Sequence, residues 1–197
     1  DPTGRFAQRP FYEVGELEAR CEEALRWFYD EKLQHPFCPP MTDGDLQSLV
    51  EAHVEDLDLY ADLSAEGPGV EALTEFRPDR GPCIKIAHEV SDNPRRRKRL
   101  RTGLSHELGH VLFHSELFTT LWQQSHTTST LEPVTLQRAI CKRDTILMPR
   151  QPDWAEWQAG YACGALLMPK VYLLECLPLT SETDCSPVRR ERSTPAT

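Results

Sequence analysis

The stretch that decides the fold is "GLSHELGHVLFH", residues 103–114, which contains three histidines and one glutamate. His106, Glu107 and His110 form the pattern H-E-x-x-H. On a helix, residues four apart project from one face with their Cβ atoms about 5–6 Å apart, so two imidazoles can bind one small cation. The glutamate beside the first ligand can then take a proton from a water molecule that attacks a carbonyl group. The pattern predicts a helix that carries two metal ligands, His106 and His110, and a general base, Glu107.

The residues around this motif strengthen the prediction and limit it. Leu104 and Leu108 give the segment an apolar face, and Gly109 leaves room beside His110. The alternative interpretation is a helix whose histidines occur by chance, and it stays open here. His114 continues the same face, but a helix rises about 6 Å over four residues, so three successive i+4 side chains do not readily surround one ion. We therefore expect His114 to support the site, beside a ligand or at an oxyanion, and not to bind the metal.

A third ligand must lie outside the motif, because catalytic zinc usually has three protein ligands and one open position. We favour Glu156, which begins the strongly helical segment "DWAEWQAGYACGALLMPK" (153–170), whose small residues allow two helices to pack closely. Glu156 has a second interpretation, since Asp153 and Glu156 have the spacing of a capping box that stabilises a helix start without any metal. The other candidate acids downstream of the motif are Glu116, Glu132, Asp144 and Asp153.

The two segments together resemble the ImmA/IrrE-type zinc metallo-endopeptidases, whose pattern is H-E-x-G-H followed by E-x-Q/E-A and L-L-M-P. The match covers roughly residues 69–170, about half of the chain. The resemblance implies that His106, His110 and Glu156 bind one Zn²⁺ ion and that Glu107 is the catalytic glutamate. It also implies a bacterial intracellular peptidase, often encoded on a mobile element, that cleaves a repressor or another regulator of DNA transfer or stress genes. Gly103 and Gly160 depart from the family, in which Thr and Asn are common at these positions.

The remaining sequence predicts an α+β fold, with a small, mostly antiparallel sheet and two crossing helices that carry the metal. The resemblance implies that this fold is a zincin-like metalloprotease domain. Helical spacing covers residues 16–33 and 42–53, with Thr42 or Asp43 as the second N-cap. Strands are predicted within 54–64, 66–76 and 81–90, and "CIKIA" (83–87) fits an edge strand or an interior strand equally. The weakly periodic segment 119–151 is predicted to be a long excursion with one short helix at 135–143.

This pattern divides the chain into an N-terminal helical segment (1–40), the metallopeptidase domain (41–176) and a polar, Pro- and Ser-rich tail (177–197) that we expect to be disordered. The tail follows no pattern of the family. Tyr161, on the helix of Glu156, is a second candidate for stabilising an oxyanion. For Tyr161 and His114 alike, packing or support of the metal ligands is the plainer interpretation.

Composition limits the kind of partner and compartment. The 197 residues carry a net charge of −9, which disfavours general binding to nucleic acid or anionic membranes. The seven cysteines include no C-x-x-C pair, and no apolar stretch reaches the length of a signal peptide core or a membrane helix. We therefore expect a soluble cytoplasmic protein with no membrane partner.

A basic run precedes the metal motif and gives the chain a second possible function. "RRRKRLR" (95–101) contains Arg95, Arg96, Arg97, Lys98, Arg99 and Arg101. It fits a contact with DNA or an acidic partner, although a solvated turn that offsets nearby acids is the plainer interpretation. Two alternatives to a peptidase therefore remain: a non-proteolytic regulator that binds metal, and a DNA-associated partner protein.

Overall fold

The computed structural model describes residues 12–37, 39–77, 79–127, 137–142 and 153–176. In chain order the described elements are α1 (Val14–Trp27), a π-helical turn (Phe28–Leu33), α2 (Asp43–Glu51), β1 (Asp56–Ala61), a 3₁₀ turn (Ser64–Glu66), β2 (Val70–Phe76), β3 (Cys83–Ala87), α3 (His88–Ser91), a second 3₁₀ turn (Pro94–Arg96), α4 (Arg97–Thr127), β4 (Gln137–Lys142), α5 (Trp154–Leu167) and α6 (Lys170–Cys176). The predicted α+β class is confirmed.

The helices begin where short polar side chains can satisfy free backbone N–H groups. Thr42 accepts a hydrogen bond from the backbone N–H of Asp45 at 3.0 Å, which confirms Thr42 as the N-cap of α2. Asp153 does the same for α5, through the backbone N–H of Ala155 at 3.0 Å. Asp153 therefore caps the first turn of α5, the turn that also contains Glu156.

Four strands form one sheet in the order β1-β3-β2-β4. β1 and β3 are parallel, whereas β2 is antiparallel to both β3 and β4, so the sheet is mostly antiparallel as predicted. "CIKIA" is an interior strand, which decides between the two interpretations of that segment. The interior position explains why Cys83, Ile84 and Ile86 are buried.

The predicted helix at 135–143 is wrong, because Gln137–Lys142 forms β4. This segment pairs antiparallel with β2, with Thr74 opposite Ala139. Backbone pairing with the free edge of β2 outweighs the weak helical preference of the segment. Helix α4 also continues through Thr127, into the stretch that we expected to be irregular. Residues 128–136 and 143–152, and the tail at 177–197, lie outside the described residues.

Helix α4 lies between the sheet and α5, and this arrangement positions the site. A Cβ atom on Gly103 would lie 3.8 Å from side-chain atoms of Ala72 and Ile86, so this part of α4 packs on the sheet. Leu104 and Leu108 are buried in a core that α1 also shares through Leu17. Within the described residues, no helix combines the length and the apolar character that a membrane crossing needs.

Candidate metal centre

The three predicted metal ligands lie together between α4 and α5. His106 and His110 are one turn apart on α4, with ring centroids separated by 5.0 Å. Glu156 comes from the first turn of α5, and its Oε2 lies 3.1 Å from His106 Nε2 while its Oε1 lies 3.3 Å from His110 Nε2. One ligand atom from each residue lies within 4.8 Å of the others. Donors of a tetrahedral zinc ion are about 3.3 Å apart, so this set can hold a metal ion.

A glycine brings the two helices close enough to assemble this set. A Cβ atom on Gly109 would lie 3.0 Å from Cα and O of Ala159 and 3.0 Å from Cβ of Ala162. Such contacts are tighter than most side chains make, so any larger residue at position 109 would push α5 away by a few tenths of an ångström. The room that Gly109 leaves is occupied by α5, which carries Glu156.

Burial leaves polar atoms of this cluster without partners. His106 and His110 are 1% exposed and Glu107 is fully buried. His106 Nδ1 and Glu107 Oε1 make no hydrogen bond within the described part of the chain, whereas His110 Nε2 faces the Glu156 carboxylate at 3.3 Å. A buried polar group without a partner costs about 1–3 kcal/mol. A water molecule beside a bound cation would remove this cost at Glu107 Oε1, whereas chance histidines on a helix would leave it uncompensated.

The charges of the cluster suit a cation. Burial alone would raise the pKa of Glu156, but the nearby His110 and His106 rings hold that pKa well below its usual range. Burial alone would lower the pKa of His110, yet the Glu156 carboxylate raises that pKa overall. Glu156 therefore keeps its negative charge inside the protein by pairing with positive charge. A metal cation can take the place of the imidazole proton in this pair.

Glu107 is held beside the ligands by a residue that sequence reasoning missed. Thr74, on β2, donates a hydrogen bond through Oγ1 to Glu107 Oε2 at 2.6 Å. Burial raises the pKa of Glu107, while His110, His106 and the Thr74 hydroxyl oppose that rise. A general base works best with a pKa near the working pH, so a raised pKa suits this role. The only signal for Thr74 in the sequence was a hydroxyl within an apolar strand.

His114 is buried behind His110 and is not one of the three clustered ligands. Its Nδ1 lies 3.0 Å from His110 Nδ1, and its Nε2 lies 2.9 Å from Oε1 of Gln158 on α5. Burial, helped by the charge on His110, lowers the pKa of His114 to about 3, so its ring is neutral at neutral pH. Gln158 was also missed as a site residue, although it occupies the Q/E position of the quoted motif.

The other predicted candidates lie elsewhere or serve other contacts. The Tyr161 hydroxyl donates to Glu18 Oε1 of α1 at 2.7 Å, so the structure does not bring it to the ligand cluster. Asp153 caps α5 and Glu116 is exposed, while Glu132 and Asp144 lie outside the described residues. An oxyanion role for Tyr161 or His114 stays a prediction.

Half of the basic run ties α4 to its neighbours. Arg97 and Arg101 both form ion pairs with Asp43 at the start of α2, and Arg99 pairs with Glu71 of β2. Arg95 and Lys98 are exposed. These ion pairs give three of the six basic residues a structural contact, and the prediction of nucleic-acid binding remains a prediction.

Comparisons of the chain with protein-family models, with curated proteins and with solved structures gave no significant match. The resemblance to the ImmA/IrrE-type peptidases therefore depends on the quoted motifs alone, and the chemistry of the centre must be argued from its own geometry.

Proposed function

We propose that this protein is a zinc-dependent endopeptidase of the ImmA/IrrE type with a zincin-like catalytic domain. In this proposal His106, His110 and Glu156 bind one Zn²⁺ ion, and Glu107 is the general base. The observation that carries the proposal is the unpartnered Oε1 of the fully buried Glu107 next to three clustered donors. A site that only stored or sensed metal would need the donors, but it would have no use for a free buried carboxylate oxygen.

The donor set suits zinc and leaves room for chemistry. Two imidazoles and one carboxylate are ligands of catalytic zinc sites, which keep one coordination position open. A Zn²⁺ ion bound there would supply Lewis-acid activation of a carbonyl group and of water. The side chains around the ion would then have to hold and move the proton.

Glu107 is placed to carry that proton. Its Oε2 is held by Thr74, so the carboxylate is oriented and Oε1 is left to accept a proton from a water molecule. The water oxygen forms a bond to the carbonyl carbon of the substrate, and the peptide C–N bond then breaks. The same Oε1 returns its proton to the leaving amine nitrogen. Water is consumed, and no further reactant is required.

The substrate class follows from the resemblance alone. We propose a bacterial repressor or another regulatory protein as the substrate, because the ImmA/IrrE-type enzymes act on such proteins. The basic run supports a DNA-associated partner protein less well, since Arg97, Arg99 and Arg101 already pair with acids.

The decisive experiment compares the zinc-loaded protein with its Glu107→Gln variant on a library of peptides digested from a bacterial proteome. New N-termini are identified by mass spectrometry, and bound zinc is measured in both proteins. We expect the variant to keep its zinc and to lose cleavage by about 10²–10⁴-fold, as for loss of a general base. Equal cleavage by both proteins would overturn the role of Glu107. Zinc binding without cleavage by the wild type would favour the non-proteolytic regulator.

A further inference from the structure

Behind the candidate ligand His110, an unbroken series of hydrogen bonds connects α4 to α5. This series runs from His110 Nδ1 to His114 Nδ1 at 3.0 Å, and from His114 Nε2 to Gln158 Oε1 at 2.9 Å. His114 is 1% exposed and Gln158 is 4% exposed, so bulk water does not compete for these contacts. The edge of the His114 ring also meets Trp154, with centroids 5.4 Å apart and planes at 87°. The ring therefore has one fixed orientation.

The donor and the acceptor of each hydrogen bond in this series can be assigned in turn. The oxygen of Gln158 accepts, so His114 Nε2 carries a hydrogen and donates it. A neutral imidazole has one hydrogen, which leaves a lone pair on His114 Nδ1. Two ring nitrogens 3.0 Å apart need one hydrogen between them, and His110 Nδ1 must supply it. Because Nδ1 keeps its hydrogen, Nε2, the nitrogen that faces Glu156, is the atom through which His110 can bind a metal ion.

We propose that His114 and Gln158 are positioning residues that hold His110 in its Nδ1–H form and so present its Nε2 lone pair to the metal. The two clustered histidines differ in this respect, because His106 Nδ1 has no hydrogen-bond partner among the described residues. The Nδ1 hydrogen of His110 is therefore held in place before the metal arrives, and the metal ion displaces the proton on the Nε2 side, where Glu156 lies. This inference depends on the metal centre of the proposed function, but it does not depend on peptidase activity.

Zinc affinity tests the inference without any substrate. The affinity of the purified protein for Zn²⁺ is measured by competition with a chromophoric chelator, for the wild type and for His114→Leu, Gln158→Leu and His114→Gln. Loss of such an outer partner typically weakens metal binding about 10–100-fold, and we expect this for both leucine variants. His114→Gln should recover most of the affinity, because an amide can accept from His110 and donate to Gln158.

A purely structural role for these residues predicts another outcome. Leucine fills a buried site at least as well as glutamine, so packing alone would give His114→Leu the better affinity of the two His114 variants. Thermal unfolding of the metal-free proteins shows which variants fold. Zinc affinity in folded His114→Leu within about twofold of the wild type would overturn the inference, since it is far below the 10–100-fold loss expected.

A spectroscopic measurement on the wild type keeps the inference testable if the variants fail to fold. Long-range ¹H–¹⁵N correlation of the zinc-loaded protein, labelled at histidine, reports which ring nitrogen carries each hydrogen. We expect Nε2–H for His114 and Nδ1–H for His110. An Nδ1–H form of His114 would contradict the proposal, in which His114 donates to Gln158 and accepts from His110. A wild type that binds no Zn²⁺ overturns this inference and the proposed function together, whereas one that binds Zn²⁺ without cleaving peptides overturns the function alone.

Discussion

Two neighbouring stretches of α4, residues 97–101 and 106–110, place their polar side chains in opposite environments. In the first turns, Arg97, Arg99 and Arg101 each pair with an acid on α2 or β2. Further along, His106, Glu107 and His110 are buried. Among the described residues His106 Nδ1 and Glu107 Oε1 have no hydrogen-bond partner, and His110 Nε2 faces the Glu156 carboxylate. The first set joins elements of the fold to one another. The second set is the group that we propose a metal ion completes.

The ion pairs and the buried polar atoms contribute to the stability of the protein with opposite signs. Exposed ion pairs stabilise a protein by about 0–1 kcal/mol each. Buried polar atoms without partners cost about 1–3 kcal/mol each. The candidate metal centre therefore lowers the stability of the metal-free protein, and a ligand that binds only the folded state would restore it. The following experiments test this contrast.

Glu156→Ala should have the largest effect. It removes one of three metal donors, so we expect zinc affinity to fall by more than about 100-fold, beyond the loss typical of an outer partner. Asp153→Ala is the matched control, because Asp153 caps the same helix start. It should cost about 1 kcal/mol of stability and leave the zinc content unchanged. If Glu156→Ala retains its zinc, Glu156 is only a helix-stabilising residue.

Thr74→Val removes the hydroxyl that holds Glu107 while keeping the size of the side chain. The Thr74 hydrogen bond lowers the pKa of Glu107, so its loss raises that pKa further. Glu107 is then protonated up to a higher pH, and the acid limb of the kcat/KM profile moves to higher pH. Because a hydrogen bond to an ionised group contributes about 1.5–3 kcal/mol, we expect at least a tenfold loss of kcat/KM. Thr74→Ser should restore the profile, and zinc affinity should not change in either variant.

Gly109→Ala tests whether the close approach of α4 and α5 assembles the site. The added methyl group would meet Ala159 and Ala162 at 3.0 Å, whereas a methyl group on Gly160 would meet nothing within 4 Å. Alanine gains up to about 1 kcal/mol of helix preference at either position. Overpacking should cost about 1–3 kcal/mol at position 109 alone, so Gly109→Ala should be less stable than Gly160→Ala by that amount. Stability is measured by chemical denaturation, and zinc affinity by competition with a chelator. If the two variants are equal in both, Gly109 does not assemble the site.

Asp43→Asn should have the smallest effect. Arg97, and then Arg101, hold the pKa of Asp43 below its usual range. A lowered pKa in the folded state contributes stability above the unfolded pKa of about 3.9, and this stability is lost as the pH falls through the folded value. At neutral pH the variant should lose at most about 1 kcal/mol, and the difference should disappear at low pH and in 1 M salt. A larger loss that salt does not reduce would show that this pair is more than a surface contact.

Much of this architecture could be predicted, because helices and strands leave local periodic patterns. Helix α2, helix α5 and strands β1, β2 and β3 fall within the segments that periodicity indicated, and α1 begins two residues before its predicted segment. The failure at Gln137–Lys142 has a clear cause, since that segment becomes a strand only through pairing with β2. A local pattern contains no information about which distant edge is free.

In the candidate metal centre, too, some residues follow from local sequence patterns and others are brought together by tertiary contacts alone. The sequence by itself determined His106, Glu107 and His110, because residues one helical turn apart share a face wherever the helix is placed. It also made Glu156 the favoured third donor among several acids. Only the tertiary structure decided that Thr74 holds Glu107 across 33 residues and that Gln158 reaches His114 across 44. Those contacts depend on how closely α4 packs against β2 and α5, and that distance is set by the whole core.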